Sequence, residues 1–278
     1  MPVRIAALQT AGTPTDVRAN ARELDAAAAR ARAGGASLLI TPELFLTGYD
    51  IGDEIRRLAR EDLLGACQDV AVAHRIALVV GYPELAPDGA LYNSAAFIDP
   101  SGEVLDVHRK THLFGELDRT YFWAGERAVS VVDHEDLRIA TMICYDVEFP
   151  ENVRLAALAG AHLIAVPTAQ MQPFEFVADT LVRARAWENQ VYVAYANHDG
   201  VERGTTYVGR SSIVGPDGAV LDRIEDGTGL VWADVDPERV RRGQRANPYL
   251  ADLRPALYLG STTPAGSADG RGGRSDEG

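Results

Sequence analysis

Three side chains in this chain form a chemically complementary set: Glu43, Lys110 and Cys144. Each ends an apolar run, in "SLLITPE", "VLDVHRK" and "IATMIC". Lys110 is the only lysine; every other cation among the 27 lysines and arginines is arginine. A surface ion pair tolerates either residue. A site that needs a compact ammonium with three rotatable donors does not. A thiol attacks as thiolate, and its free pKa of about 8.5 leaves little thiolate at neutral pH. A nearby carboxylate can take the proton. An ammonium can stabilise both the thiolate and the oxyanion that follows attack on a carbonyl. Glu43 as base, Lys110 as clamp and Cys144 as nucleophile thus make an acyl-transfer set without a histidine. Singly, Cys144 also suits inert packing, and Glu43 a strand-end ion pair. Three complementary groups at three strand ends favour chemistry, because rigid strand ends carry sites in α/β folds.

The elements that must position them alternate. Strands are expected at 3–10, 36–43 and 76–84, with helices at 14–35 and 61–75 between them. "LYNSAAFIDPSGEVLDVHRK" reads as two strands around an Asp-Pro-Ser-Gly turn. The second half echoes the first: "LRIATMICYD", "HLIAVPTA" and "VYVAYANHDG" as strands, "PENVRLAALAGA" and "FEFVADTLVRARAWENQ" as helices. It too ends in a hairpin, "GRSSIVGPDGAVLDRIE", so the halves look like an internal repeat. Two β-rich halves carrying helices predict an α/β fold with two packed sheets and helices outside. Residues 1–260 read as one domain, and residues 261–278, small, polar and glycine-rich, as a disordered tail.

The 278 residues carry a net charge of −13, with 40 acidic against 27 basic side chains. Nucleic-acid binding relies on basic groups neutralising phosphates, so nucleic acid is not an expected partner. A cationic small molecule is favoured instead. No apolar run suits a membrane span, and the opening "MPVRIAALQT" reads as a strand rather than a leader. Cytoplasmic location is the default. Cys67 and Cys144 form no disulfide framework, and Cys67 falls in an apolar helical pattern that suits the core. His74, His108, His112, His134, His162 and His198 make no ligand-spaced motif with them, so no metal and no cofactor is expected.

The motifs "TPELFLTGYD", "HRKTHLFGELDRTYF" and "ICYDVEFPENVR", in this order, resemble those of the nitrilase superfamily of carbon–nitrogen hydrolases. The resemblance runs from Val3 to about Tyr258. It implies a Glu43–Lys110–Cys144 triad on a four-layer αββα sandwich that commonly pairs through helices into a homodimer. It also implies a second glutamate beside the lysine, here Glu116 in "FGELDR", and an oxyanion donor at the backbone N–H of Tyr145. An extended C-terminal arm, "ERVRRGQRANPYLADLRPALY", would cross to a second subunit.

Among members, the chain looks closest to aliphatic amidases that open 5-aminopentanamide to 5-aminopentanoate. Members that bind carboxylate-bearing substrates often put arginine four residues after the nucleophile; here that residue is Glu148. A carboxylate there would repel acidic substrates and attract an amine, unless it pairs with Arg154. Tyr49, Gln170, Met171 and Asn197 follow strands and are candidates to line the substrate pocket. The same triad would serve an N-carbamoyl amine hydrolase, such as one acting on N-carbamoylputrescine, or a true nitrilase. An inactive scaffold is a further alternative, which an intact triad argues against.

Overall fold

The computed structural model describes residues 1–257, so the tail expected at 261–278 lies outside the described residues. One sheet contains β1 (Val3–Gln9), β2 (Leu38–Ile40), β3 (Ala77–Leu85), β4 (Leu91–Ile98) and β5 (Val104–Arg109). The second contains β6 (Val131–His134), β7 (Leu137–Thr141), β8 (Leu163–Thr168) and β9 (Tyr192–Asn197). A short hairpin, β10 (Val201–Glu202) and β11 (Thr205–Thr206), interrupts it before β12 (Ser212–Val214) and β13 (Val220–Arg223). The chain then returns to the first sheet as β14 (Gly229–Val235). The strand orders are β14, β1, β2, β3, β4, β5 and β6, β7, β8, β9, β12, β13. Each sheet thus has a parallel core of three strands, then an antiparallel hairpin at one edge and an antiparallel strand at the other. The expected repeat is present, with one exchange: the far edge of the first sheet comes from the end of the second half.

Helices α1 (Val17–Ala33), α2 (Glu54–Leu58) and α3 (Gly65–His74) precede α4 (Gly115–Tyr121), which follows β5. Then come α5 (Pro150–Leu158), α6 (Val182–Asn189), α7 (Pro237–Ala246) and α8 (Tyr249–Asp252). The layering follows from the two-residue period of β1. Val3, Ile5 and Ala7 face the second sheet in one core, with Ile139, Val166 and Tyr195. Ala6 and Leu8 face the other way, against Leu24, Ala27, Ala28 and Ala31 of α1 and Cys67 and Val70 of α3. On the outer face of the second sheet, α5 and α6 complete four layers, α, β, β, α. No helix among the described residues is long and apolar enough to cross a membrane.

The elements are shorter than expected where chemistry begins. Asp16 caps α1 by accepting the Ala19 N–H at 2.9 Å, so the helix starts at Val17 rather than Pro14. The strand expected to reach Glu43 stops at Ile40. Thr41 still donates to the Val79 carbonyl at 2.9 Å, but Pro42 has no N–H to continue the ladder. The Glu43 N–H instead donates across the sandwich to the Thr168 carbonyl at 3.3 Å. β7 likewise stops at Thr141, three residues before Cys144.

Candidate active site

Glu43, Lys110 and Cys144 come together at one end of the sandwich, all buried. Lys110 immediately follows β5, and its backbone N–H donates to the Asn93 carbonyl on β4 at 2.8 Å. Its ammonium, fully buried, donates to Glu43 Oε1 at 2.7 Å and to Asp118 Oδ2 at 2.6 Å. Burial would lower the Lys110 pKa, but the Asp118 and Glu43 carboxylates outweigh it and hold it well above the ordinary value. Burial raises the Glu43 pKa against the pull of Lys110, and Glu43 stays above the usual carboxylate range. Glu43 Oε1 also accepts from Asn93 Nδ2 at 2.7 Å, whereas the buried Oε2 has no partner among the described residues. The Glu43 carbonyl accepts a 2.6 Å bond from His198 Nε2.

Glu116, expected beside Lys110, is not there. Its side chain is exposed on α4, and only its backbone carbonyl is engaged, by Thr120 Oγ1 at 2.7 Å. Asp118 takes the place. Residues two apart on a helix point about 200° apart, so only one of the pair can face inward. Asp118 Oδ2 also accepts the Phe114 N–H at 2.8 Å, and Oδ1 accepts the Tyr49 hydroxyl at 2.9 Å. Tyr49 is in turn fixed by Glu202, whose Oε2 accepts the N–H groups of Tyr49 at 3.0 Å and Asp50 at 2.6 Å and the Tyr207 hydroxyl at 2.5 Å. The β10–β11 hairpin therefore braces the Thr-Gly-Tyr-Asp loop. Gly48 fits it because φ is +92° and a Cβ would meet Glu202 Oε1 at 2.3 Å.

Cys144 opens a 3₁₀ turn, Cys144–Glu148, with φ at +46°. That left-handed geometry costs a non-glycine residue about 1–3 kcal/mol, and it turns the thiol out of the strand line. Asp146 holds the turn. Its Oδ2 accepts the Ile143 N–H at 3.1 Å and His108 Nε2 at 2.9 Å. Its Oδ1 accepts the N–H groups of Thr111 at 3.1 Å and His112 at 2.9 Å and the Thr111 hydroxyl at 2.8 Å. The segment after β5 that carries Lys110 and the turn that carries Cys144 are thus tied to one carboxylate. Despite burial, these donors hold Asp146 below the usual carboxylate range, led by His108 and His112. Burial and then Glu43 push the Cys144 thiol well above its ordinary value, against Lys110. The resting group is therefore a thiol, and it needs a base. The Tyr145 N–H precedes the first bonded donor of the turn, Asp146, which donates to the Ile143 carbonyl at 3.0 Å. It is one of the free donors of a helix start.

Tyr49, Tyr145, Glu148, Gln170 and Met171 line the small cavity at Cys144, with Phe114 and Ala169. At ≈ 10 Å³ it has room for about one water. Phe114 packs edge-on against Tyr145 and Phe174, with centroids 5.3 and 5.6 Å apart. A larger surface cleft of ≈ 430 Å³, at Glu84, Tyr92, Arg109 and Arg127, contains none of the three reactive groups. Gln170 Oε1 lies 3.8 Å from Cys144 Sγ and accepts from the Tyr195 hydroxyl at 3.4 Å. Asn197 does not face the substrate space. It is fully buried; Oδ1 accepts the Gln170 N–H at 2.7 Å, and Nδ2 donates to the Gly209 carbonyl at 2.7 Å. It brackets the pocket loop from behind. Glu148 forms no ion pair with Arg154 or any other cation among the described residues. Arg185, the arginine next to it, donates instead to the carbonyls of Val147 at 2.9 Å and Glu148 at 2.5 Å and to Glu188 at 3.0 Å. Burial pushes the Glu148 carboxyl up to about 7, opposed by Lys110 and Arg185.

Asn93, Asp118 and Asp146 were not singled out in the sequence. Asp146, two residues after the nucleophile in "CYD", and Asp118, two residues after Glu116 in "GELDR", stood inside motifs close to a reactive group; Asn93 did not.

Residues 4–245 match the carbon–nitrogen hydrolase family. The chain is 43% identical over 265 residues to a hydrolase in the pqqF 5' region of Pseudomonas protegens, covering 92% of this chain and 90% of that one. It is 34% identical to an (R)-stereoselective amidase of a Pseudomonas species, covering 91% and 92%. The NitN amidase of Nesterenkonia sp. AN1 superposes with a TM-score of 0.84 at 37% identity, covering 92% of this chain and 98% of that one. A variant of that amidase carries the product of Michael addition of acrylamide at its active-site cysteine. Sequence, sandwich and the buried cysteine agree, and the chain belongs to the carbon–nitrogen hydrolase family.

Proposed function

We propose that the protein is an amidase that hydrolyses small linear aliphatic amides to the carboxylic acid and ammonia through a thioester on Cys144. The observation that carries this is a buried thiol in one site with a glutamate that, among the described residues, has one oxygen free and the other bonded to a lysine. Glu43 Oε2 takes the Cys144 proton as sulfur attacks the amide carbon. Lys110 has spent two of its three donors, and the third, with the Tyr145 N–H, holds the oxyanion. Collapse breaks the C–N bond, and Glu43 returns the proton to the leaving ammonia. Water then gives a proton to Glu43 and attacks the thioester, releasing acid and restoring the thiol. The similarity to the (R)-stereoselective amidase and to the NitN amidase supports this reading.

Within that class the reading favours ω-amino amides such as 5-aminopentanamide. The support is Glu148, a carboxylate lining the cavity at the nucleophile with no ion pair among the described residues. Its charge is present only above about pH 7, so preference for a substrate ammonium rises with pH. The kcat/KM ratio of 5-aminopentanamide over pentanamide should increase several-fold between about pH 6 and about pH 8, and the increase should vanish in Glu148→Gln. A flat ratio in the wild type removes the ammonium seat. The wider test is ammonia release from ω-amino amides, plain amides, carbamoyl amines and nitriles. Carbon dioxide released with ammonia would mark a carbamoyl substrate, and turnover of nitriles alone would overturn the amidase reading. Cys144→Ala should abolish turnover without loss of fold.

A further inference from the structure

We propose that Asn93 is a positioning residue that decides which oxygen of Glu43 carries the proton. This rests on the reading of Glu43 as the base. Asn93 is fully buried in β4, one residue past the Ser94–Arg109 pair where β4 and β5 last register. It touches both members of the ion pair: its carbonyl accepts the Lys110 N–H at 2.8 Å, and its Nδ2 donates to Glu43 Oε1 at 2.7 Å. The orientation of the amide is chemically fixed, because the opposite one would set its oxygen 2.7 Å from a carboxylate oxygen. Lys110 Nζ donates to the same oxygen at 2.7 Å. Two donors therefore occupy Oε1, and the buried Oε2 has none among the described residues.

The torsion that turns a glutamate carboxylate is broad and nearly two-fold, so something must stop the two oxygens from exchanging. Lys110 alone does not do it. An ammonium is a compact charge with three rotatable donors and no fixed fork, so it can bond either oxygen of the carboxylate. Asn93 reaches Glu43 from a strand interior paired on both sides, to β3 and to β5. With Asn93 in place, a proton on Oε1 would displace a donor, whereas a proton on Oε2 displaces nothing. One oxygen then serves every transfer in the cycle: from the thiol, to ammonia and from water. Without Asn93 the base is misaimed for part of the time, and its charged form loses a stabilising donor.

The test compares Asn93→Ala and Asn93→Leu with wild type and Cys144→Ala on one plain aliphatic amide, by ammonia release across pH. Leu keeps the branched shape of Asn with no N–H donor and no charge, so it guards against a packing defect in the Ala variant. Both should lose kcat by roughly 10–100-fold with KM changed by less than about threefold, the scale of a misplaced general base. Because the lost bond favoured ionised Glu43, the acid limb of kcat/KM should move to higher pH. A purely structural Asn93 would lower activity equally at all pH values and leave that limb in place; that result, or kcat within about twofold of wild type, overturns the inference. If Cys144→Ala turns over like wild type, the amidase mechanism itself fails. If Cys144→Ala is inactive and the Asn93 variants are normal, only the role of Asn93 fails.

Discussion

A lone lysine in an arginine-rich chain marked the site from composition, and its surroundings explain why arginine cannot stand there. The ammonium is fully buried, and two carboxylates hold it at 2.6 and 2.7 Å. A guanidinium is wider and planar, with its donors fixed in a fork. Lys110→Arg keeps the charge and should still lose at least ~100-fold in kcat, the scale seen when one oxyanion donor is removed; steady-state ammonia release measures it. Near-normal turnover would make Lys110 an ordinary survivor. The carboxylate that completes its shell was not legible. "GELDR" offers Glu116 and Asp118 two residues apart, and sequence does not say which face of a seven-residue helix turns inward. The structure gives the inward face to Asp118. Asp118→Asn should therefore cost activity heavily, and Glu116→Gln should change it by less than about twofold, as for an exposed residue away from the chemistry. The reverse ranking would mean that α4 is turned the other way.

That each reactive group sits just past a strand was legible, because apolar runs halt at Glu43, Lys110 and Cys144, although β2 and β7 stop at Ile40 and Thr141. What fixes their mutual spacing was not, since it lies in side chains from different elements. Asp146 is the main tie: it bonds the segment following β5 and the turn following β7 at once. Its pKa is depressed in the folded state. The stability it adds is therefore fully present above the unfolded carboxylate value of about 3.9 and is lost as pH falls through the lower folded value. Asp146→Asn puts an amide N–H among donors and should cost about 1–3 kcal/mol at neutral pH, read from urea unfolding. Part of the wild-type loss of stability below about pH 4 should be missing in the variant. Equal acid sensitivity in both proteins would show that the carboxylate charge is not what holds the two segments together.

The repeat visible in the sequence anticipated two sheets of the same plan. It did not show that β14 would cross to complete the first sheet, because an edge strand carries no mark of which edge it joins. It also left the outermost layer open. Leu155 and Leu158, three residues apart on one face of α5, are 47% and 50% exposed, and Trp187 on the adjacent α6 is 47% exposed. Arg154 carries a buried Nη1 with no partner among the described residues. An exposed apolar helix face beside an unpaired cation is costly for a monomer. We infer that a second copy covers it, as the family resemblance implies, with α8 packed close by against α5 and α6. Light scattering should then give the wild type at least twice the mass of one chain, and Leu155→Glu with Leu158→Glu should return it to one. A wild type that stays at one chain mass through the micromolar range would remove the interface. A double variant that keeps the larger mass would move it to another face, since burying two carboxylates without partners costs several kcal/mol.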